Sequence, residues 1–217
     1  SSDVCSSDLM INGSGWLKKP CRLTVVPMRG WRRDMVWRDT GLPWVPASPH
    51  IPHGESPLFQ VATGMLGEIG GVSIGIGYTL PFQTIAAPRV DGHALAMDLN
   101  ARRLSGVHFR PLTYKPYYGS FKEEVISGVQ VHFTDPARAP LTALNYHAME
   151  ALRKVAGRDL FAEAVKAGKK FDMFDKVNGT SATREALQAG RPAAEIIATW
   201  RAGEEAFRRE RQPYLLY

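Results

Sequence analysis

Five prolines crowded into one stretch, Pro43, Pro46, Pro49, Pro52 and Pro57, limit what this chain can fold into more than any other feature. Each locks its own φ and pushes the preceding residue towards extended backbone, so no continuous helix can form there. The prolines belong to GWRRDMVWRDTGLPWVPASPHIPHGESP, residues 30–57, which is rich in Pro, Trp and Arg and has no clean period. A long segment of this kind serves as a connection between domains or as the wall of a site.

The segments on either side read more regularly. Residues 11–20 form a loop, and RLTVVPM at 22–28 is a short apolar strand closed by Pro27. Such a strand needs neighbours, yet little sequence precedes it. LFQVATGML at 58–66 suits either a strand or a short helix. A glycine-rich run, GEIGGVSIGIGYTLPF, follows at 67–82. Asp91 is placed to cap a helix with Leu95 and Leu99 on one face. GVHFRPLTY (106–114) and EEVISGVQVHFTD (123–135) read as strands; in the second, Val125, Val129, Val131 and Phe133 share a face opposite Gln130 and His132. From Pro140 onward the pattern is helical. Leu141, Leu144, Ala148, Leu152 and Val155 repeat at helical spacing, a shorter helix covers about 183–189 and stops at Gly190, and Pro192 opens a last helix with Ile196, Trp200, Gly203 and Phe207 inside. The apolar end, PYLLY, is expected to pack. The class expected is α+β: a mixed sheet with C-terminal helices, preceded by the last strand of another domain.

Composition excludes little but excludes it firmly. The 217 residues are 44% hydrophobic, enough for one or two domains with a proper core. No run approaches the ~18 apolar residues of a membrane span. The net charge of +6 owes much to Arg201, Arg208, Arg209 and Arg211, which suit a solvated helix end, and no basic stripe with interleaved aromatics points to nucleic acid. The opening SSDVCSSDLM lacks the basic start and apolar core of a signal peptide, and its weak apolar content predicts a disordered tail. If residues 1–9 are foreign, Cys21 stands alone and frames neither a disulfide nor a zinc site.

The candidate chemistry is sparse. The glycine run lacks the Lys-Ser/Thr of a phosphate loop, and Pro81 blocks the helix that would hold the phosphate. It is then a turn where backbones approach closely, or a loop that lets a ligand come near the backbone. His50 and His53 have a spacing that metal ligands use, but no carboxylate or cysteine cluster completes a set, so no metal and no cofactor is expected. His108 and His132 each occupy one face of a strand. Among Glu68, Asp91, Glu123, Glu124 and Asp135, Asp91 reads as a helix cap and Asp135 as a turn residue. Glu68, beside the glycine loop, is the one weak catalytic candidate for the paired-carboxylate chemistry of glycoside hydrolysis. Trp31, Trp37 and Trp44 alternate with Arg32, Arg33 and Arg38, which suits either stacking on sugar rings or the core of a domain interface.

Taken together, LTVVPMRGWRRDM, TGLPWVPASPHIP, VSIGIGYTLPFQTIAAPRVDG, GVHFRPLTYKP, SGVQVHFTD and RRERQPYLLY resemble the DUF1343 family over about residues 11–217. This family includes exo-β-N-acetylmuramidases of the NamZ type. The resemblance implies an exported bacterial protein, periplasmic or extracellular, in which a Rossmann-like N-terminal domain precedes an α+β C-terminal one. It implies cleavage of terminal N-acetylmuramic acid from peptidoglycan fragments in a cleft between the domains, with the catalytic Glu on the N-terminal one. Residues 10–45 would then be the remnant of that domain and its connector, 46–217 the C-terminal domain, and SSDVCSSDL a stretch that resembles translated sequencing adapter. One departure stands out. Where many family members carry a loop close to SEGRGTTRPF, this chain has SIGIGYTLPF, so Ile74, Ile76 and Leu80 stand where Glu, Arg and Arg are common. Those charges are strong partners for an anionic sugar.

The function expected is the substrate-cleft half of a peptidoglycan-recycling glycoside hydrolase, inactive by itself, with Arg32, Arg33, His50, Glu68, Ser73, Tyr78, Thr79 and Gln83 lining the cleft. Its partners are a sugar ending in N-acetylmuramic acid and the missing N-terminal domain of the same protein, with no nucleic acid and no membrane span. The alternative is a non-catalytic module that binds glycans or docks a partner.

Overall fold

The computed structural model describes residues 4–217, which divide into two compact units, 43–197 and residues up to 42 together with 198–217. In the larger unit, helix α2 (Ser56–Ile69) buries Phe59, Ala62, Thr63, Leu66 and Ile69, a stripe at the three- and four-residue spacing of one helical face. Pro57 sits in its first turn, where a missing N–H costs nothing. The segment that suited strand or helix is therefore helical. The short strand β1 (Thr84–Ala87) is buried along its whole length. Helix α3 (Gly92–Ala101) is capped as expected, with Asp91 Oδ1 accepting from the His93 and Ala94 N–H groups at 2.9 and 3.1 Å. Strands β2 (Val107–Tyr114) and β3 (Ile126–Phe133) complete a sheet of order β1-β3-β2. Val129 pairs with both Ile85 and Pro111 in register.

All pairings are antiparallel, which corrects the expected mixed sheet. Phe109, Val129, Val131 and Ile85 point to one face and are buried there beside α3. Val125 was expected on that face, but it precedes the strand and is largely exposed. On the opposite face Ala86, Tyr114 and Ile126 form a small cluster under Tyr78, Leu112 and Phe121.

Helix α4 (Leu141–Ala156) packs against α2 and ends at Gly157, with Arg153 and Lys154 suitably in its last turn. Four short helices follow: α5 (Leu160–Lys166), α6 (Asp172–Asn178), α7 (Ala182–Gln188) and α8 (Ala193–Ala198). The helix expected from Pro192 to the end is thus divided. Its second part, α9 (Arg201–Arg211), belongs to the other unit and buries none of its residues.

In that other unit, residues from Val4 to Gly13 form helix α1, with Met10 buried, so the expected disordered tail is helical over its described part; residues 1–3 lie outside it. RLTVVPM is not a strand. Among the described residues it pairs with no strand, and Val26 is 82% exposed, because no sheet edge is offered to its backbone groups. The PYLLY end is packed, as expected. Tyr217 meets the Trp31 ring edge-on at 5.0 Å, and its hydroxyl accepts the Met28 N–H at 2.6 Å.

Candidate functional site

The site is built on the face of α2 that adjoins the buried stripe. Gln60, Val61, Gly64, Met65, Gly67 and Glu68 line a cavity of about 690 Å³. Opposite them stand the glycine loop from Gly70 to Ile76 with Phe82, and the remaining wall is His50, Ser120 and Val177. A space of this size suits a small ligand.

Three local devices hold the walls. First, Asn145 on α4 is fully buried and inserts its amide into the hydrogen-bond ladder of α2. It accepts the Met65 N–H at 3.1 Å and donates to the Val61 carbonyl at 2.8 Å, so two lining residues are fixed by one side chain. Second, the Thr63 hydroxyl lies 2.8 Å from the Phe82 carbonyl and donates to it. Phe82 has a φ of 64°, a strained value for a bulky residue that this bond helps to hold. Third, Tyr146 of α4 donates to Asn178 at the end of α6, next to Val177, with Met65 Sδ 3.2 Å away. Burial pushes the Tyr146 phenol up to about 12, so it remains a neutral donor.

The glycine loop is shaped by close contacts within the protein. Gly75 and Gly77 have φ values of 86° and 88°, and a Cβ would fall 1.9 Å from the Leu80 carbonyl oxygen in one case and 2.1 Å from that of Tyr118 in the other. The loop therefore abuts its own turn and the tyrosine-bearing segment 117–120. Gly70 and Gly71, by contrast, expose their backbone to the cavity. The close-approach reading of the glycine run is met at Gly75 and Gly77.

Ser73 stands at the head of a chain of buried hydroxyls. Tyr114 OH donates to Ser73 Oγ at 2.8 Å and lies 2.8 Å from Thr84 Oγ1. Ser73 Oγ also accepts the Gly75 N–H at 3.3 Å. With its acceptor side filled, its own proton is left to serve as donor at the cavity wall. Burial raises the Tyr114 pKa, against the hydrogen bonds with Ser73 and Thr84, which keeps the phenol protonated and the chain ordered.

Of the residues expected to line the cleft, the structure brings His50, Glu68 and Ser73 together. The His50 Nε2 is 2.8 Å from Tyr118 OH, and the two rings stack at 6.2 Å. Glu68 has no hydrogen-bond or ion-pair partner among the described residues. Tyr78 instead stacks on Tyr114 at 4.2 Å, Thr79 is exposed away from the cavity lining, and Gln83 contributes its backbone, its carbonyl accepting the Val131 N–H at 2.8 Å. Arg32 and Arg33 belong to the other compact unit, where Arg32 pairs with Asp34 at 3.2 Å and Arg33 donates to the Tyr217 carbonyl at 3.2 Å. Sequence reading missed the lining face of α2, Ser120 and Val177. The α2 face would have been legible had 58–66 been assigned as helix, since 60, 61, 64 and 68 fall together at helical spacing. Ile74 and Ile76, the uncharged departures, do line the cavity.

The same fold occurs in solved structures. A DUF1343 family protein from Bacteroides fragilis superposes with a TM-score of 0.85 at 41% identity, over 98% of this chain and 55% of that one. A second DUF1343 protein from the same species gives a TM-score of 0.60 at 21% identity and attests to the fold alone. In sequence, the peptidoglycan β-N-acetylmuramidase NamZ of Bacillus subtilis is 31% identical over 195 residues, which are 90% of this chain and 45% of the relative. The chain thus spans about half the length of the relatives it matches. The family model for the N-terminal part of exo-β-N-acetylmuramidase NamZ matches residues 4–55, beginning inside the stretch expected to be foreign. With the C-terminal model of the same family matching residues 60–217, this chain belongs to the exo-β-N-acetylmuramidase NamZ family.

Proposed function

We propose that this chain is the substrate-holding half of a hydrolase of peptidoglycan-derived glycans, and that it grips a terminal N-acetylmuramic acid while a carboxylate outside residues 1–217 cleaves the bond. The observation that carries the reading is the cavity where a free carboxylate, Glu68, a hydroxyl donor, Ser73, and His50, held from outside by Tyr118, meet on mostly apolar walls. Sugars ask for this mixture, because their rings have apolar faces and hydroxyl edges. Tyr117 and Tyr118, 60% and 49% exposed on the segment that abuts Gly77, add aromatic surface for stacking. Glu68 accepts sugar hydroxyls in this reading, and its alternative role is the acid or base of the reaction. In the intact protein the work is done outside the cytoplasm, in the periplasm or beyond.

The test is turnover of a chromogenic muramide. Residues 1–217 alone should release no chromophore, whereas a longer product of the same gene that includes an N-terminal domain should. Release by the 217-residue chain would overturn the division of labour. Ile74 and Ile76 favour a second reading, a module that binds glycans without cleaving them, since they put apolar groups on the cavity wall. Binding of muropeptides by the longer product without hydrolysis would establish that reading instead.

A further inference from the structure

Among the described residues that line the cavity, Glu68 is the one carboxylate and none is Lys or Arg. An acidic sugar would find no fixed cation on those walls. A cation does stand against one of them, although it is not itself part of the lining. A side chain begun at Gly70 would place its Cβ 3.3 Å from Lys169 Nζ and 3.8 Å from Lys169 Cδ, so this lysine lies against a lining residue.

Its position is built rather than incidental. Helix α5 ends in a left-handed turn at Gly168, whose φ is 72°. The Gly168 N–H donates to the Val165 carbonyl and the Lys169 N–H to that of Ala164, both at 2.9 Å, a helix-terminating motif that fixes the backbone from which Lys169 projects. The same connection leads into α6, whose Val177 is part of the cavity wall. Lys169 is exposed and has no carboxylate within ion-pair distance among the described residues. The other cation beside the loop is committed elsewhere. Arg158 is paired with Glu163 and donates to the Gly71 carbonyl at 3.0 Å.

We infer that Lys169 is the specificity-determining cation of this site and receives the carboxylate of an acidic sugar at the cavity mouth. The inference rests on the reading that the cavity holds a glycan, and it supplies the charge that the SIGIGYTLPF loop lacks. A lysine suits the task at a solvated rim, as a mobile point charge that need not be buried to act.

The experiment is calorimetric binding of two disaccharides to the 217-residue chain, one ending in N-acetylmuramic acid and one in N-acetylglucosamine, which lacks the lactyl carboxylate. The wild-type chain should prefer the acid. Lys169→Met should shrink that preference on the order of fivefold, the scale of one exposed charge pair, and Lys169→Arg should retain it. Raising the salt should shrink the wild-type preference in the same way. An unchanged preference in Lys169→Met, or equal weakening of both ligands, overturns the inference. Binding of both sugars with no wild-type preference overturns it too while leaving the glycan reading in place. Failure of both sugars to bind the wild-type chain removes the glycan reading itself, and the inference with it.

Discussion

Asn145 shows how much one side chain decides. A lone Asn in a helical stretch ordinarily reads as a weak helix former facing water. Here it is wholly buried and satisfies a donor and an acceptor of the neighbouring helix. Replacing it with Ala strands the Met65 N–H and the Val61 carbonyl beside an empty space. Stability should fall by about 2–3 kcal/mol, and glycan binding should weaken as well, because both stranded groups belong to cavity residues. Chemical denaturation and calorimetric binding on the same variant would check both. If Asn145→Ala unfolds like the wild type, the inserted amide is dispensable. Nothing in the sequence marks this residue, since its role depends on a helix some eighty positions away.

At the scale of elements, the legible ones are those whose signals are local. Asp91 announces α3 because a carboxylate ahead of an apolar stripe satisfies the first free N–H groups within three residues. Asp91→Ala should cost about 1 kcal/mol, read as a lower denaturant midpoint with an unchanged slope. A loss near zero would mean that packing against β2 and β3 alone fixes the helix start. Strands β2 and β3 were readable from alternation, whereas β1 was not. Its four residues are all buried, so it shows no alternation, and it pairs with β3 only through a contact distant in sequence. RLTVVPM failed in the opposite sense. It carries strand composition, but a strand is made by its neighbours, and among the described residues it has none.

At the scale of the whole molecule, the larger unit's stability should depend on pH through groups that link its helices. Burial drives the His147 pKa below its ordinary value, and Arg102 adds to the shift, although Glu150 opposes it. Burial and the neighbouring Arg110 and His108 do the same to His132. For Asp98, burial raises the pKa, but hydrogen bonds from Lys154 and Arg102 outweigh it and hold the carboxyl below its usual range. The signs agree. A histidine whose folded pKa is depressed stabilises the fold above its unfolded value of 6.5 and loses that contribution as the pH falls below it. The Asp98 contribution is present above 3.8 and is lost at lower pH still. The melting temperature should therefore decline as the pH drops from 7 through 6 and decline again below 4. His147→Gln should flatten the first decline, and an unaltered first step in that variant would assign it elsewhere.

The sequence by itself determined what short-range physics can write. It specified the α+β class, the cap at Asp91, the existence of strands β2 and β3, the packed end of the chain and the family resemblance. It also drew attention to His50, Glu68 and Ser73. Tertiary structure alone decided that these three share one cavity, that Tyr78, Thr79 and Gln83 do not line it, and that the sheet is antiparallel throughout. It also decided that Lys169 stands against Gly70. Helical and strand periods report which face of an element is apolar, not which distant element covers it. The cavity lies where α2, the glycine loop, the segment at Ser120 and α6 converge, and its walls are set by contacts between residues such as Val61 and Asn145 that no local pattern records.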